Sequence, residues 1–448
     1  MKKRFAICST IVLLLLLSAC GAPQTLDFSY APEGEELSPL MVETSQTHRA
    51  ELEHVPSAAD FADAISDDPA SAGLLSESEV ESLLRGHAAM ETVSKEQAQS
   101  DVSLLFRTLQ SAYGAYEYFG QEKFDAAEDA VTQWLSSQDD EIKVSALGEK
   151  LQESLAFMLA YDAHAMIYEP AAEEIEAQVR YEYFFADGFY FSKDVNGSYY
   201  MVNDGERWTL SSFSDEHVSV QPTLLQDGRI VYQPTLFALR KDAVQSSVTL
   251  KNSSGKAKIY RLDWTESQPL DVDLGTLDYR LIQEDGLTYV SLRSFVSSTY
   301  DNMLARYARE GAKARGSKAV IYDLRGNVGG SDSWPRKWIQ SFLGTQNSIE
   351  TSMLYAQKNS ALFAAENSES LLPEDEGTCF AREVHGTWYE NDIPIIVLVD
   401  DHCGSSGEGA VQLLKTLDNV LIVGSNTAGY QLCGSVIQIA ETVIESVI

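Results

Sequence analysis

Positive charge and cysteine are both scarce in this chain. Against 67 Asp and Glu it carries 33 Lys and Arg, a formal net charge of −34 over 448 residues. A field of that sign repels nucleic acid and anionic lipid headgroups, so neither is an expected partner. The five cysteines, Cys8, Cys20, Cys379, Cys403 and Cys433, are too few for a disulfide scaffold and show no zinc-ligand spacing. A bridge between Cys403 and Cys433 stays open, and the odd count leaves a free thiol. No metal or organic cofactor is expected. The Gly-Lys-Ser/Thr ending of a phosphate loop is missing. The apolar run Ile11–Leu17 is too short, and wrongly flanked, to be a stable transmembrane helix.

What the amino terminus does contain is an address. Lys2, Lys3 and Arg4 precede the apolar run, which ends in Leu17-Ser18-Ala19-Cys20. The segment resembles a bacterial lipoprotein signal peptide with its lipobox. That resemblance implies removal of residues 1–19 and lipidation of Cys20, which would hold the protein on a bacterial cell membrane, facing outside the cytoplasm.

Hydrophobic residues make up 44% of the chain and aromatics 10%, enough for a sizeable core in two or three domains. Residues 20–95, rich in Pro, Ser, Glu, Asp and Ala, read as an acidic tether with a short helix near Ser76–Leu84. Residues 96–177 carry helical spacing: Val102, Leu105, Leu109; Phe124, Ala127, Val131; Ala146, Leu151, Leu155, Leu159. Within them Tyr113–Gly120, with two glycines and three tyrosines, reads as a packed turn between helices. Residues 178–276 alternate in short strands with Asn-Gly and Asp-Gly turns, a small β-rich region without recognisable chemistry. From 277 to 448 strands and helices alternate, which predicts an α/β core.

Two stretches of that core carry chemistry. In the first, Ile395–Val399 reads as a buried strand and Ala410–Leu417 as a helix, joined through Asp400-Asp401-His402-Cys403-Gly404-Ser405-Ser406-Gly407-Glu408. A serine at such a junction stands where the free N–H groups of the helix's first turn can face an oxyanion. Ser405 and Ser406 as plain helix caps are the competing account. Cys403 is a weaker candidate nucleophile than Ser405. In the second stretch, Ala319–Tyr322 leads into Asp323-Leu324-Arg325-Gly326-Asn327-Val328-Gly329-Gly330. Its glycines permit positive φ and close backbone approach to a ligand, and a tight turn is the plainer alternative.

Together these stretches, with Gly424-Ser425-Asn426-Thr427-Ala428-Gly429 downstream, resemble the C-terminal-processing, or tail-specific, serine peptidases and their tricorn-type relatives. Their core is a crotonase-type α/β fold. The resemblance spans about Leu277 to Gly434 and implies no cofactor. It implies that Ser405 is the nucleophile, with Ser406 its competitor, and that the oxyanion is held by the N–H of Ser406 and an N–H from Gly329 or Gly330. Processing peptidases place a lysine base after the Gly-x-x-Thr-x-Gly loop; here that position is Tyr430. Tricorn-type members use a histidine from an N-terminal helical region, and Tyr161-Asp162-Ala163-His164-Ala165 is similar to that segment. His164 is therefore the expected general base, its ordinary pKa of about 6.5 suiting proton transfer in both directions. His48, His54 and His87 fall in the tether, His217 and His385 in loops, and His402 at the strand end; all are expected to be solvated or locally hydrogen-bonded. Asp323 and Arg325 are expected to support the glycine loop.

A downstream carboxylate that would orient the histidine is not evident. Glu441 and Glu445 are candidates by sequence proximity alone, in a tail, Val436–Ile448, unlike the expected strands. Truncation, a sheet closed differently, or an impaired enzyme are the three alternatives. The expected function is a serine-type endopeptidase acting on a peptide or protein substrate; the alternative is an impaired, peptide-binding surface lipoprotein.

Overall fold

The computed structural model describes residues 37–62, 74–85, 90–162, 164–165, 167–168, 181–186, 188–203, 205–225, 229–239, 246–266, 279–296, 301–358, 360–366, 379–430, 436–438 and 445–447. Cys20, His87, Cys433 and Glu441 lie outside the described residues. The stretch Tyr181–Gln268 groups as one compact unit, and Met41–Arg180 with Pro269–Ile448 as the other.

The β-rich unit consists of two antiparallel sheets. One runs in the order Ala257–Leu262, Ser246–Lys251, Glu206–Phe213, Tyr199–Asn203, Ser192–Lys193, and the other Trp264–Glu266, Tyr181–Ala186, Ile230–Leu239, Val218–Leu224. Strict alternation along Ser246–Lys251 sends Val248 and Leu250 inward beside Trp208 and Phe191, all fully buried. The Asn196-Gly197 turn behaves as its residues dictate: Gly197 takes φ +81°, and Asp194 Oδ1 accepts the N–H of Asn196 and of Ser198.

In the larger unit the helical part begins at a capping box. Ser94 Oγ accepts the Gln97 N–H and the Gln97 side chain returns the bond, starting the helix Lys95–Ala112. Its Val102, Leu105 and Leu109 face Phe124, Val131 and Leu135 of Gln121–Ser136 and Leu147 and Leu151 of Val144–Ser154, forming one core. The Tyr113–Gly120 turn is packed shut, with Tyr116 stacked on Phe124 at 4.3 Å between ring centroids.

The core sheet has the order Arg280–Glu284, Leu287–Ser291, Ala319–Asp323, Ile395–Val399, Val420–Gly424; the first pair is antiparallel and the rest parallel. Helices Asp301–Ala314, Ser333–Leu343 and Ser406–Leu414 lie in the crossovers between the parallel strands. Val320, Tyr322, Ile395, Val397 and Val420 fill its centre with Trp338 and Tyr307. Two of the helices touch backbone to backbone at Gly311, where any Cβ would stand 2.3 Å from the Trp338 carbonyl oxygen. The parallel order carries the ends of Ala319–Asp323 and Ile395–Val399 to the same edge of the sheet, so both chemistry-bearing turns emerge side by side.

Two expectations are corrected. Residues 20–95 are not a tether throughout: Leu37–Glu53 is a helix, and its Met41, Ser45, His48 and Leu52, spaced by four, three and four, are buried. Ser45 Oγ accepts the Asn419 N–H at 2.9 Å, Ser352 Oγ bonds the Leu52 carbonyl, and Glu51 pairs with Lys415. His48 is therefore core rather than solvated, while His54 is exposed as expected. The acidic composition concealed this helix because its buried stripe includes a serine and a histidine, residues that normally signal surface. The tail also forms strands: Val436–Gln438 pairs with Glu445–Val447, which pairs with Ile167–Tyr168, all antiparallel. Three-residue strands are too short for alternation to register in the sequence.

Burial first, and then the Lys415 charge, holds the His48 imidazole down to about 4 from its ordinary 6.5. The folded chain disfavours the proton that the unfolded chain takes up between those values, so stability falls as pH drops from about 6.5 to about 4. Replacing His48 with Leu removes this contribution. Melting temperatures of parent and His48→Leu measured across that window should diverge toward low pH, with the parent losing more.

Candidate active site

Ser405 has φ +52° and ψ −121°, a conformation that L residues rarely adopt and that costs on the order of 1–3 kcal/mol. The neighbouring backbone holds it there. Gly404 donates to the Asn327 carbonyl at 2.9 Å, Gly407 to the Gly404 carbonyl at 2.8 Å, Gly409 to the Ser405 carbonyl at 2.9 Å, and Ala428 to the Cys403 carbonyl at 2.8 Å. Ser405 occupies the cap position of the helix Ser406–Leu414, yet its side chain makes no capping hydrogen bond. The capping account thus fails for Ser405, and its hydroxyl is left to other work. Ser406 is buried, whereas Ser405 is only partly so, which favours Ser405 as the group a substrate can reach.

The glycine loop closes directly over this turn. A Cβ on Gly329 would lie 2.6 Å from Ser405 Cβ and 3.0 Å from the Ser406 nitrogen, so only glycine permits the approach. Of the two loop glycines, Gly329 spends its N–H on Asn327 Oδ1 at 2.9 Å. The Phe295 N–H bonds the Gly329 carbonyl at 2.7 Å, and the Ser331 N–H bonds the Phe295 carbonyl at 3.1 Å. This parallel bridge leaves the N–H of Gly330 on the side away from Phe295. Ser406, first in its helix, has no acceptor for its own N–H within that helix.

Asp323 and Arg325 support the loop. Asp323 is fully buried and accepts from Arg325 Nε and Nη2, both at 2.9 Å, from Tyr289 Oη at 2.7 Å and from Arg293 Nη1 at 3.3 Å. Burial alone would raise its pKa; the hydrogen bonds from Arg325, Tyr289 and Arg293 outweigh it and hold the carboxyl down to about 2. Cys403 has the opposite balance. It is fully buried, and burial together with the charges of Glu408, Asp400 and Asp323 pushes its thiol well above the ordinary value, which removes it as a nucleophile.

His164 comes at the end of a short turn organised by Asp162, whose Oδ1 accepts the N–H of His164 at 3.1 Å and of Ala165 at 3.3 Å. Asp162 Oδ2 accepts from Tyr113 Oη at 2.9 Å, so the packed turn between the helices anchors the histidine segment. The imidazole lies 4.9 Å, centroid to centroid, from the ring of Tyr430. Tyr430 in turn packs on the serine turn: a Cβ on Gly404 would be 2.3 Å from Tyr430 Cδ2. His164 and the serine turn are therefore joined through Tyr430.

Sequence reasoning missed the parts played by Tyr113, Asp162 and Asn327. The Asp-x-His-Ala spacing of an Asx turn was the available signal for Asp162. His217 and His385 are exposed, and His217 Nδ1 contacts Asp215 at 3.0 Å. His402 Nδ1 stands 3.3 Å from Asp401 Oδ1. Among the described residues, Asp400, Asp401 and His402 are the group that could hold a metal ion by proximity, one donor atom of each lying within 4.8 Å of the others. Asp400 Oδ1 already accepts the N–H of Gly326 at 2.8 Å and of His402 at 3.2 Å, knitting the two turns together.

Residues 286–447 match peptidase family S41. This stretch resembles that family's serine peptidases. It contains both turns described above. Similar solved structures include mature CPAF complexed with lactacystin, at 13% identity over 79% of this chain and 89% of that chain with a TM-score of 0.37. They also include the photosystem II D1 C-terminal processing protease, at 15% identity, 78% and 86% coverage and a TM-score of 0.35. A further one is a protein from Parabacteroides merdae, at 13% identity, 80% and 82% coverage and a TM-score of 0.40. No curated protein matches the chain.

Asn327 is fully buried and donates its Nδ2 to the Leu292 carbonyl at 2.8 Å while accepting from Gly329. Asn327→Ala leaves that carbonyl and that N–H without partners, a loss of roughly 2–4 kcal/mol in stability. Denaturant titration measures it, and a change below about 0.5 kcal/mol would mean that the side chain does not brace the loop.

Proposed function

We propose that the S41 core hydrolyses peptide bonds by acyl transfer to Ser405. Ser405 Oγ attacks the scissile carbonyl carbon while its proton passes to His164; the tetrahedral oxyanion lies between the N–H groups of Ser406 and Gly330. His164 then returns the proton to the leaving amine as the C–N bond breaks, and water releases the acyl group by the same route in reverse. The observation that carries this reading is the positive-φ turn at Ser405, uncapped and with Gly329 pressed against it. The crossovers between parallel strands fit a crotonase-like core, and the expected cleavage is endoproteolytic.

A fluorophosphonate probe should label the parent protein at Ser405, identified by peptide mass, with a rate that rises through the imidazole range near pH 6–7. Ser405→Ala should lose the label and any peptide turnover by a factor on the order of 10³ or more, while Ser406→Ala keeps the label. A label carried by Ser406, or none in folded protein above that pH range, overturns the assignment.

The same proposal places the protein on the outer side of a bacterial membrane through lipidated Cys20, because Leu17-Ser18-Ala19-Cys20 ends a leader that is first basic and then apolar. Cys20→Ala should move the protein from the membrane to the soluble fraction on cell fractionation; unchanged membrane association would remove the anchor from the account.

A further inference from the structure

We propose that Tyr430 is a positioning residue for the Ser405–His164 pair, and that Glu408 acts through it by fixing the loop on which it stands. This inference rests on the reading of Ser405 as nucleophile and His164 as base. Three contacts carry it. The ring of Tyr430 occupies the space over Gly404 that any Cβ there would need, so it packs on the backbone immediately before the nucleophile. The same ring lies 4.9 Å from the His164 imidazole at an interplanar angle of 45°. The loop leading into Tyr430 is held from within the nucleophile helix: the buried Glu408 accepts from Thr427 Oγ1 at 2.5 Å and from the Gly429 N–H at 2.8 Å through a single carboxylate oxygen.

These contacts form a closed circuit. It runs from Ser405 along the helix's first turn to Glu408, across to Thr427 and Gly429, on to Tyr430, and back to Gly404 and His164. Gly429 takes φ +82°, the left-handed turn that redirects the chain so that residue 430 faces the serine turn. On the histidine side, Asp162 fixes the backbone through the N–H groups of His164 and Ala165. The ring of Tyr430, tilted by 45° against the imidazole, packs beside it and limits its rotation about the side-chain torsions. A flat ring is the required property, because proton transfer demands an imidazole held within a few tenths of an ångström of its working position.

The test uses the full chain and measures the rate of fluorophosphonate labelling at Ser405 as a function of pH, with a melting curve for each variant. Tyr430→Phe keeps the face and should label within about twofold of the parent, with the same pH midpoint. Tyr430→Leu removes the face and should slow labelling roughly tenfold to a hundredfold and displace the midpoint of the pH profile while the melting transition stays cooperative. Should the Leu variant not fold, Tyr430→Met, similar in bulk and without a flat ring, decides in its place by the same criterion. Leu or Met variants that label at the parent's rate with an unmoved pH profile overturn the proposal. A folded parent that takes no label at all defeats the assignment of Ser405 itself, and the positioning role falls with it.

Discussion

Three chain segments meet at Asn327, and the geometry of the site depends on that junction. Its side-chain nitrogen holds Leu292 at the end of one strand, its side-chain oxygen holds the N–H of Gly329, and its backbone carbonyl takes the N–H of Gly404. One residue with no solvent exposure thus fixes the distance between the glycine loop and the serine turn. A hydroxyl would supply fewer bonds and a carboxylate would bring a buried charge; an amide can donate and accept at once. The unfavourable backbone at Ser405 persists because this junction leaves it no relaxed alternative, the usual condition for strain at a working site.

Around the junction charge is handled in two ways. Asp323 is surrounded by the donors of Arg325, Tyr289 and Arg293 and stays ionised inside the protein. Cys403 has carboxylates for neighbours and stays a neutral thiol. Both outcomes rigidify rather than react, and both lie beneath the turns and not on their open side. The proposed chemistry falls to the partly exposed Ser405 hydroxyl.

Much of the core was legible in the sequence where the signal is local. Ile395–Val399 and the small residues after it announced a strand and a turn, and the spacing from Ala410 onward announced a helix, because the apolar run is unbroken, with one face of the strand buried and the other half-buried. The glycine loop was legible as a loop, yet not which of its N–H groups was spoken for: that depends on the Asn327 rotamer. The helix Leu37–Glu53 was hidden by its polar residues, since Ser45 and His48 are buried only through partners hundreds of residues away. The terminal strands were hidden by brevity. Tyr430 could be read from sequence only as the absence of a lysine, and the space it fills over Gly404 becomes visible in three dimensions.

The pairing of Glu445–Val447 with Ile167–Tyr168 gives the chain an order of events. The segment that bears His164 lies in the first half, and the strand that completes its sheet is the last described element. During synthesis the strand next to His164 waits for that partner until residues 445–447 have emerged. Contacts that distant in sequence form late and slowly. The serine turn, by contrast, is built from a strand, a helix and a next strand that are contiguous in the chain. A nascent chain would accordingly lack the strand beside Ile167–Tyr168 until residues 445–447 have been made.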